Sequence, residues 1–161
     1  ALAAAGSAHL AEDWYSRMVR EGKETAAALA SLAEVLVLNW GPDGMDNAQE
    51  WIMQFRSSGK ALTPAVYAAM ASGDVLRGEF EQVEARLQQM DLDGLDMDER
   101  SLTALLLSYA NAEPQQSGLA EQMFKQHILS GRMEATREVL EALRAAVGGG
   151  RCLALRRELQ L

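Results

Sequence analysis

Cysteine is nearly absent from this sequence, which contains only Cys152. A single thiol cannot form a disulfide within the chain, and it cannot supply the ligands of a cysteine-based zinc site. Aromatic residues make up only 6% of the chain, and there are three prolines. Runs rich in valine, isoleucine and threonine, which are typical of strands, are missing. These shortages exclude a disulfide-stabilised scaffold and argue against a β-sheet.

Long hydrophobic runs are missing as well. None reaches the roughly 20 residues that a membrane-spanning helix needs, and the nearest, Ala26 to Trp40, is interrupted by Glu34. The first residues lack the basic region of a targeting peptide. They are typical of the end of one helix, a turn at Gly6-Ser7 and the start of another helix. We therefore expect no membrane span, and we expect the sequence to be a fragment of a longer protein.

Positive charge is scarce and unevenly distributed. The chain has 15 basic and 23 acidic residues, a net charge of −8. Residues 1–121 carry 8 basic and 19 acidic residues, a net charge of −11, whereas residues 122–161 have a net charge of +3. A domain that binds nucleic acid mainly through phosphates needs a concentrated positive field. The acidic body does not supply one.

Alanine and leucine are abundant, and both lose little side-chain entropy in a helix. Hydrophobic residues make up 48% of the 161 residues, which is ordinary for a folded domain with its own core. The composition therefore predicts an all-α fold.

A repeated segment is the most informative feature of the chain. It occurs as AEDWYSRMVREG, AQEWIMQFRSSG, VEARLQQMDLDG and AEQMFKQHILSG, which end at Gly22, Gly59, Gly94 and Gly131. We call these four the closing glycines, and they are separated by 37, 35 and 37 residues. Each segment predicts a helix that ends at a glycine in the left-handed conformation. Such repetition indicates stacked helix pairs, because one pair cannot bury its apolar face alone.

Apolar helices are predicted between successive copies. Thr63 before Pro64 is typical of a helix start, and Asp98 is a similar N-cap. Turns are predicted at Gly41 to Gly44, Gly73 to Gly78 and Pro114 to Gly118. The helices between the copies are expected at Ala26 to Leu38, Pro64 to Gly73, Glu99 to Ala112 and Ala135 to Val147. We expect residues 1–147 to form the repeat domain, and residues 148–161 to form a glycine hinge and a terminal helix, Arg151 to Leu161.

The spacing near 35, the "AEDW" and "AQEW" openings and the segment "TPAVYAAM" resemble pentatricopeptide repeats, in the divergent versions of algae and protists. The resemblance covers nearly all of residues 1–147. It implies a right-handed α-solenoid of antiparallel helix pairs, about four repeats of 35–37 residues. It also implies a mitochondrial or plastid protein that binds single-stranded RNA with one base per repeat.

Two residues per repeat read each base in that family. By resemblance the pairs here are Ser31 with Thr63, Ala68 with Asp98, and Thr103 with Ala135, with Ala33 as an alternative to Ser31. An alanine side chain cannot hydrogen-bond to a base edge. A readable code is therefore absent, and the charge and this absence together favour a protein partner.

Other candidate sites have simpler interpretations. The acidic loop from Asp91 to Glu99 lacks the spacing of a calcium loop. His9 and His127 have no neighbouring ligands, and His127 is expected to be a partly buried packing residue. Trp14 and Trp51 are more plausible in the core than as stacking platforms for bases. A patch of C-terminal arginines is a candidate for phosphate or an acidic partner, although a solvated helix face is the favoured interpretation: Arg137, Arg144, Arg151, Arg156 and Arg157.

No grouping of catalytic side chains or cofactor fingerprint is evident. We therefore expect no enzyme, no cofactor and no small-molecule substrate. The favoured function is a protein-interaction, structural or assembly subunit of an organellar complex. The alternative is an organellar RNA-binding protein that acts in RNA processing, stability or translation.

Overall fold

The fold was taken from a computed structural model that describes residues 2–161, with side chains from residue 6 onward. Over this span the chain forms helices and no strand, as the composition predicted. None of these helices has the length and apolar character needed to cross a membrane. The helices are α1 (Leu2–Arg20), α2 (Ala26–Trp40), α3 (Pro42–Ser57), α4 (Pro64–Arg77), α5 (Phe80–Leu92), α6 (Glu99–Asn111), α7 (Ser117–Leu129), α8 (Arg137–Val147) and α9 (Gly149–Glu158).

The chain divides into two compact units, residues 1–73 and residues 74–161. In the first unit, α2 packs against both α1 and α3. Its apolar surface is broad enough for two neighbours, because Leu29, Leu32 and Leu36 are all at most 3% exposed. An apolar helix of this kind is stabilised mainly by burial against its neighbours.

In the second unit, α6 packs against α5, α7 and α8, and α8 packs in turn against α7 and α9. The centre of this core contains Leu102, Leu106 and Tyr109 from α6, with Leu143 from α8, and all four are fully buried. Asp74 is a buried carboxylate in this unit, and it accepts hydrogen bonds from Arg77 and Arg86. Because a buried charge is costly without partners, this pair of guanidinium groups stabilises it.

All four closing glycines have the left-handed backbone that the sequence predicted, with φ between +66° and +79°. The amide after Gly22 donates to the carbonyl of Met18, and the amide after Gly94 donates to the carbonyl of Met90. These are the bonds of a Schellman ending, which satisfies carbonyl groups that a helix otherwise leaves open. The second helices of the predicted pairs therefore end where expected.

The predicted turns were less accurate than the predicted closing glycines. Gly6 and Ser7 lie inside α1, so the predicted turn there is wrong. Gly73 likewise lies inside α4, which continues to Arg77. Helix α3 begins at Pro42, because proline is favoured at the first helical position, where no amide bond is needed. An isolated glycine weakens a helix by about 1 kcal/mol relative to alanine but does not by itself end it.

The sequence predicted Asp98 and Thr63 as caps, and a capping hydrogen bond is present at Asp98. Asp98 accepts a hydrogen bond from the amide of Ser101 at 2.8 Å, which confirms its predicted role as N-cap of α6. Helix α4 begins at Pro64, directly after Thr63. Thr25 caps α2 in the same way, because its hydroxyl accepts from the amide of Ala28 at 3.1 Å. The Asp98 and Thr25 caps satisfy backbone donors that the first turn leaves without partners.

The core face of the repeated helices differs from the expected one. Trp14 is 56% exposed and Trp51 is only partly buried, so the prediction that both lie in the core is wrong for Trp14. The buried residue in α1 is Tyr15, which is 1% exposed. Counted back from the closing glycines, positions eleven, seven and four are mostly buried, and position eight lies at the edge. The difference is one residue, about 100° around a helix.

Candidate functional site

The second unit contains a groove of about 700 Å³. Helices α5 and α7 and the loops that follow them line its sides, and α6 lines its floor. We call it the methionine groove. Its apolar lining is Leu87, Met90, Met97, Leu105, Met123 and Met133. Methionine is flexible and polarizable, so such a surface adapts to apolar partners of different shapes.

The position of each methionine follows from the helix register. Met90 lies four residues before the closing glycine of α5, on the buried stripe, and is 1% exposed. Met123 lies eight residues before the closing glycine of α7, at the edge of the stripe, and is half-buried. Met97 is also half-buried, in the loop before α6. The groove therefore has a closed floor and walls that solvent reaches.

Acidic groups dominate the polar part of the groove. Asp91 and Asp96 are both exposed, and Arg132 is the one arginine among the lining residues. Glu84 accepts a hydrogen bond from the hydroxyl of buried Tyr109. Burial and this carboxylate raise the pKa of Tyr109 far above its usual value. Three carboxylates against one guanidinium give the groove a negative potential.

His127 lines the groove as well, and it is half-buried as the sequence predicted. Burial, with a smaller effect of Arg132, lowers the pKa of its imidazole. Both effects disfavour the charged imidazolium form of the ring. His9 is exposed and packs edge-on against Trp40, with ring centroids 4.7 Å apart.

The C-terminal arginines separate into two groups. Arg137 pairs with Glu141 at 2.8 Å, and Arg151 pairs with both Glu121 and Glu158. Arg144, Arg156 and Arg157 are exposed, and within the described residues no carboxylate forms an ion pair with them. Arg144 and Arg156 also line a second groove of about 530 Å³ along α8 and α9. Three of the five predicted arginines therefore remain available to an anion.

Arg151 connects helix α9 to α7 through Glu121. Hydrogen bonds from Arg151 and Lys125 lower the pKa of the Glu121 carboxyl to about 2. Hydrogen bonds to Glu121 and Glu158 raise the pKa of Arg151 above its usual range. Arg151 therefore has a structural role, which the sequence alone did not separate from that of its neighbours.

The positions that the family resemblance assigns to base reading differ in their surroundings. Ala68 is buried, with 8% of its surface exposed. The Asp98 carboxylate accepts bonds from the amide and hydroxyl of Ser101. Ser31 is exposed, Thr103 is partly buried, and both donate to the carbonyl four residues earlier. The Thr63 hydroxyl has no polar side-chain contact in the described structure. Alanine has no polar side-chain group at Ala135 or at the alternative position Ala33, and Ala33 is buried.

The acidic loop from Asp91 to Glu99 has a structural use at its end, where Asp98 caps α6. In the part of the chain that the structure describes, no three histidine, cysteine or acidic side chains come together in a way that could hold a metal ion. Sequence analysis missed the methionine groove, although one signal was present. The edge position that holds tryptophan in α1 and α3 holds Met123 in α7. No protein-family model matches the chain, and no curated protein sequence matches it.

Proposed function

We propose that this chain is a non-enzymatic helical-repeat module that binds protein partners, as an assembly or structural subunit of an organellar complex. Its helix pairs would stack as a right-handed α-solenoid of about four pentatricopeptide-type repeats. Support for the repeat comes from the four closing glycines, which share one backbone conformation at spacings of 35 to 37 residues. The organellar location follows from the resemblance.

The methionine groove is the observation that carries the proposal of protein binding. It is apolar at its floor, it is reached by solvent at its walls, and its polar groups are mostly acidic. An acidic groove repels the phosphates of RNA but accommodates apolar and basic side chains of a protein. Flexible methionine surfaces are typical of protein-binding grooves that adapt to their partners.

The state of two family positions supports the same proposal. A base edge needs a hydrogen-bonding side chain at each reading position. Ala68 is buried and has no polar group, and its partner Asp98 already caps α6. The pair assigned to this repeat is therefore poorly suited to base reading.

An RNA-binding function remains the second candidate, because Arg144, Arg156 and Arg157 are exposed and have no acidic partner among the described residues. Guanidinium groups of this kind bind phosphates well. Binding of this type would depend on charge and not on base sequence.

The two candidates are separated by fluorescence-anisotropy titration with a pool of short single-stranded RNAs, at low and at physiological salt. A protein-binding module is expected to show a Kd weaker than about 1 μM, the range of non-specific binding. Submicromolar, salt-sensitive binding would favour the RNA candidate. In parallel, cross-linking of the tagged protein in native extract should give an assembly larger than the 17.5 kDa chain.

A further inference from the structure

Each of the two units contains two of the repeated helices. The space between these two helices can be compared between the units, because equivalent residues are found by counting from the closing glycines. In the first unit this space lies between α1 and α3, whose closing glycines are Gly22 and Gly59. In the second it lies between α5 and α7, whose closing glycines are Gly94 and Gly131. Positions counted from these glycines correspond, and they show what the protein puts into each space.

In the first unit the protein fills this space itself. Trp51, eight residues before its closing glycine, reaches α1, where its indole N–H donates to Glu12 at 3.1 Å. Its ring packs edge-on against buried Tyr15, with centroids 5.3 Å apart. One aromatic side chain therefore supplies apolar contact and a hydrogen bond to a carboxylate.

An ion pair connects the following loops in the first unit. Lys60, directly after Gly59, pairs with Glu24, two residues after Gly22. The Lys60 ammonium also donates to the backbone carbonyl of Glu24 at 3.3 Å. This contact lowers the pKa of the Glu24 carboxyl.

In the second unit the corresponding residues do not make these contacts between the two repeated helices. Met123 takes the position of Trp51, Asp96 that of Glu24, and Arg132 that of Lys60. Arg132 and Asp96 do not form the corresponding ion pair, although both line the methionine groove. Glu84, which corresponds to Glu12, is bonded to Tyr109. Met123 lines the groove of about 700 Å³ together with residues of α5, α6 and the loops that follow α5 and α7.

The charge of the groove determines what can occupy it. Asp91 and Asp96 are exposed and have no ion-pair partner within the described structure. An occupant with lysine or arginine on its flank would offset these carboxylates, whereas an acidic occupant would be repelled. A helix can supply such a flank beside an apolar face, and grooves of this kind bind amphipathic helices.

We propose that the methionine groove binds a basic amphipathic helix of a partner protein, with tryptophan or a similarly large apolar side chain as its anchor. The proposal rests on the protein-binding function and names its site and the chemistry of its partner. The anchor would occupy the space that Trp51 occupies in the first unit, and the basic flank would lie against Asp91 and Asp96.

The test uses the full chain and a synthetic labelled peptide of about 18 residues, built from leucine, lysine and glutamine with one tryptophan on the apolar face. Met123→Trp reproduces the self-filled arrangement of the first unit. We expect it to weaken peptide binding by about tenfold or more, because the anchor site is then occupied. The matched control is Met53→Trp, the same substitution at a side chain that is 62% exposed on α3, with binding unchanged.

The charge of the occupant is tested separately. The double variant Asp91→Asn, Asp96→Asn should weaken binding of the basic peptide by about threefold to tenfold and reduce its salt dependence. A peptide with glutamate in place of lysine should bind at least tenfold more weakly to the wild-type protein. Equal binding of the two peptides would overturn the proposed chemistry of the partner.

The location is read from the methyl NMR signals of the eight methionines. Peptide should shift the signals of Met97, Met123 and Met133, and leave that of Met53 in place. Shifts of other methionine signals, or unchanged peptide binding by the Met123→Trp variant, would overturn the assignment of binding to the groove. The proposed protein-binding function would then involve another surface. A concentration-dependent dimer that Met123→Trp abolishes would identify a second copy of the chain as the occupant and overturn the proposal. Submicromolar RNA binding would instead overturn the underlying function.

Discussion

Gly78 differs from the four closing glycines in what surrounds its α-carbon. Its φ of +70° is left-handed like theirs, but a β-carbon there would lie 2.3 Å from the carbonyl oxygen of Asn111. Asn111 is fixed in place, because its side-chain amide donates to the carbonyl of Val75 at 2.9 Å. At Gly131, with φ of +68°, a β-carbon would meet nothing within 4 Å. The left-handed backbone conformation therefore favours glycine at both positions, and the close approach of Asn111 favours it at Gly78 alone.

The pair Gly78→Ala and Gly131→Ala separates the two effects. Gly131→Ala should cost about 1 kcal/mol, the penalty of a left-handed alanine. Gly78→Ala should cost roughly 3 kcal/mol or more, because the backbone contact with Asn111 must open as well. Urea unfolding followed by circular dichroism measures both. Equal costs would mean that the second unit relaxes around the new methyl group.

At the scale of elements, the second unit depends on polar groups that fix where helices begin and how they meet. Asp98 both caps α6 and accepts from the buried Ser101 hydroxyl at 2.8 Å. Glu121 of α7 receives Arg151 of α9, and the same arginine pairs with Glu158 at 2.9 Å. The first is a local contact, whereas the second joins residues 30 apart in sequence.

Asp98→Ala should destabilise the protein by about 1–2 kcal/mol, because the α6 cap and the acceptor of a buried hydroxyl are lost together. Asp96→Ala, two residues earlier and exposed, is the control and should change stability by less than about 0.5 kcal/mol. Thermal or urea unfolding measures the difference. A similar effect of the two substitutions would argue that Asp98 does not act as a cap in solution.

The Glu121 contact predicts a dependence of stability on pH. Its folded pKa of about 2 lies below the ordinary value of 4.5, so its contribution is complete above pH 4.5 and is lost as the pH falls towards 2. Glu121→Gln should therefore cost about 1 kcal/mol at pH 6, and less than half of that at pH 2.5. Urea unfolding at both pH values measures the difference in unfolding free energy between the wild-type protein and the variant. Substitution of the exposed Glu113, Glu113→Gln, is the control. If this difference in unfolding free energy were the same at both pH values, Glu121 would not form the ion pair in solution.

At the scale of the whole molecule, charge limits the partners. Residues 1–121 have a net charge of −11 and residues 122–161 have +3. Polyanions therefore meet attraction only near the C-terminal arginines and repulsion elsewhere. Of those arginines, Arg144, Arg156 and Arg157 are the ones without acidic partners in the described structure.

Any RNA binding at low salt should therefore involve about three phosphates. The plot of log K against log salt concentration should have a slope of about −2, since single strands contribute about −0.7 per phosphate. The combined variant Arg144→Gln, Arg156→Gln, Arg157→Gln should abolish this residual binding, whereas Arg17→Gln in α1 should not. A much steeper slope would show that other basic residues contribute.

Much of the fold was predictable from the sequence because its signals are local. The alanine- and leucine-rich composition determined that the chain is helical, and the four closing glycines ended helices at the predicted residues. The Asp98 cap was predictable for the same reason, since it depends on three neighbouring residues. Two of the predicted turns were wrong, because Gly6 and Gly73 lie in helices that continue beyond them.

The sequence by itself determined the helical class, the spacing of the repeated segment and the charge that disfavours phosphate. Only the tertiary structure decided which face of each repeated helix is buried, because Trp14 and Tyr15 differ by one residue and packing selects between them. It also decided that Trp51 contacts α1, whereas Met123 at the corresponding position lines an open groove. Both outcomes depend on contacts between side chains far apart in sequence, about which local propensity carries no information.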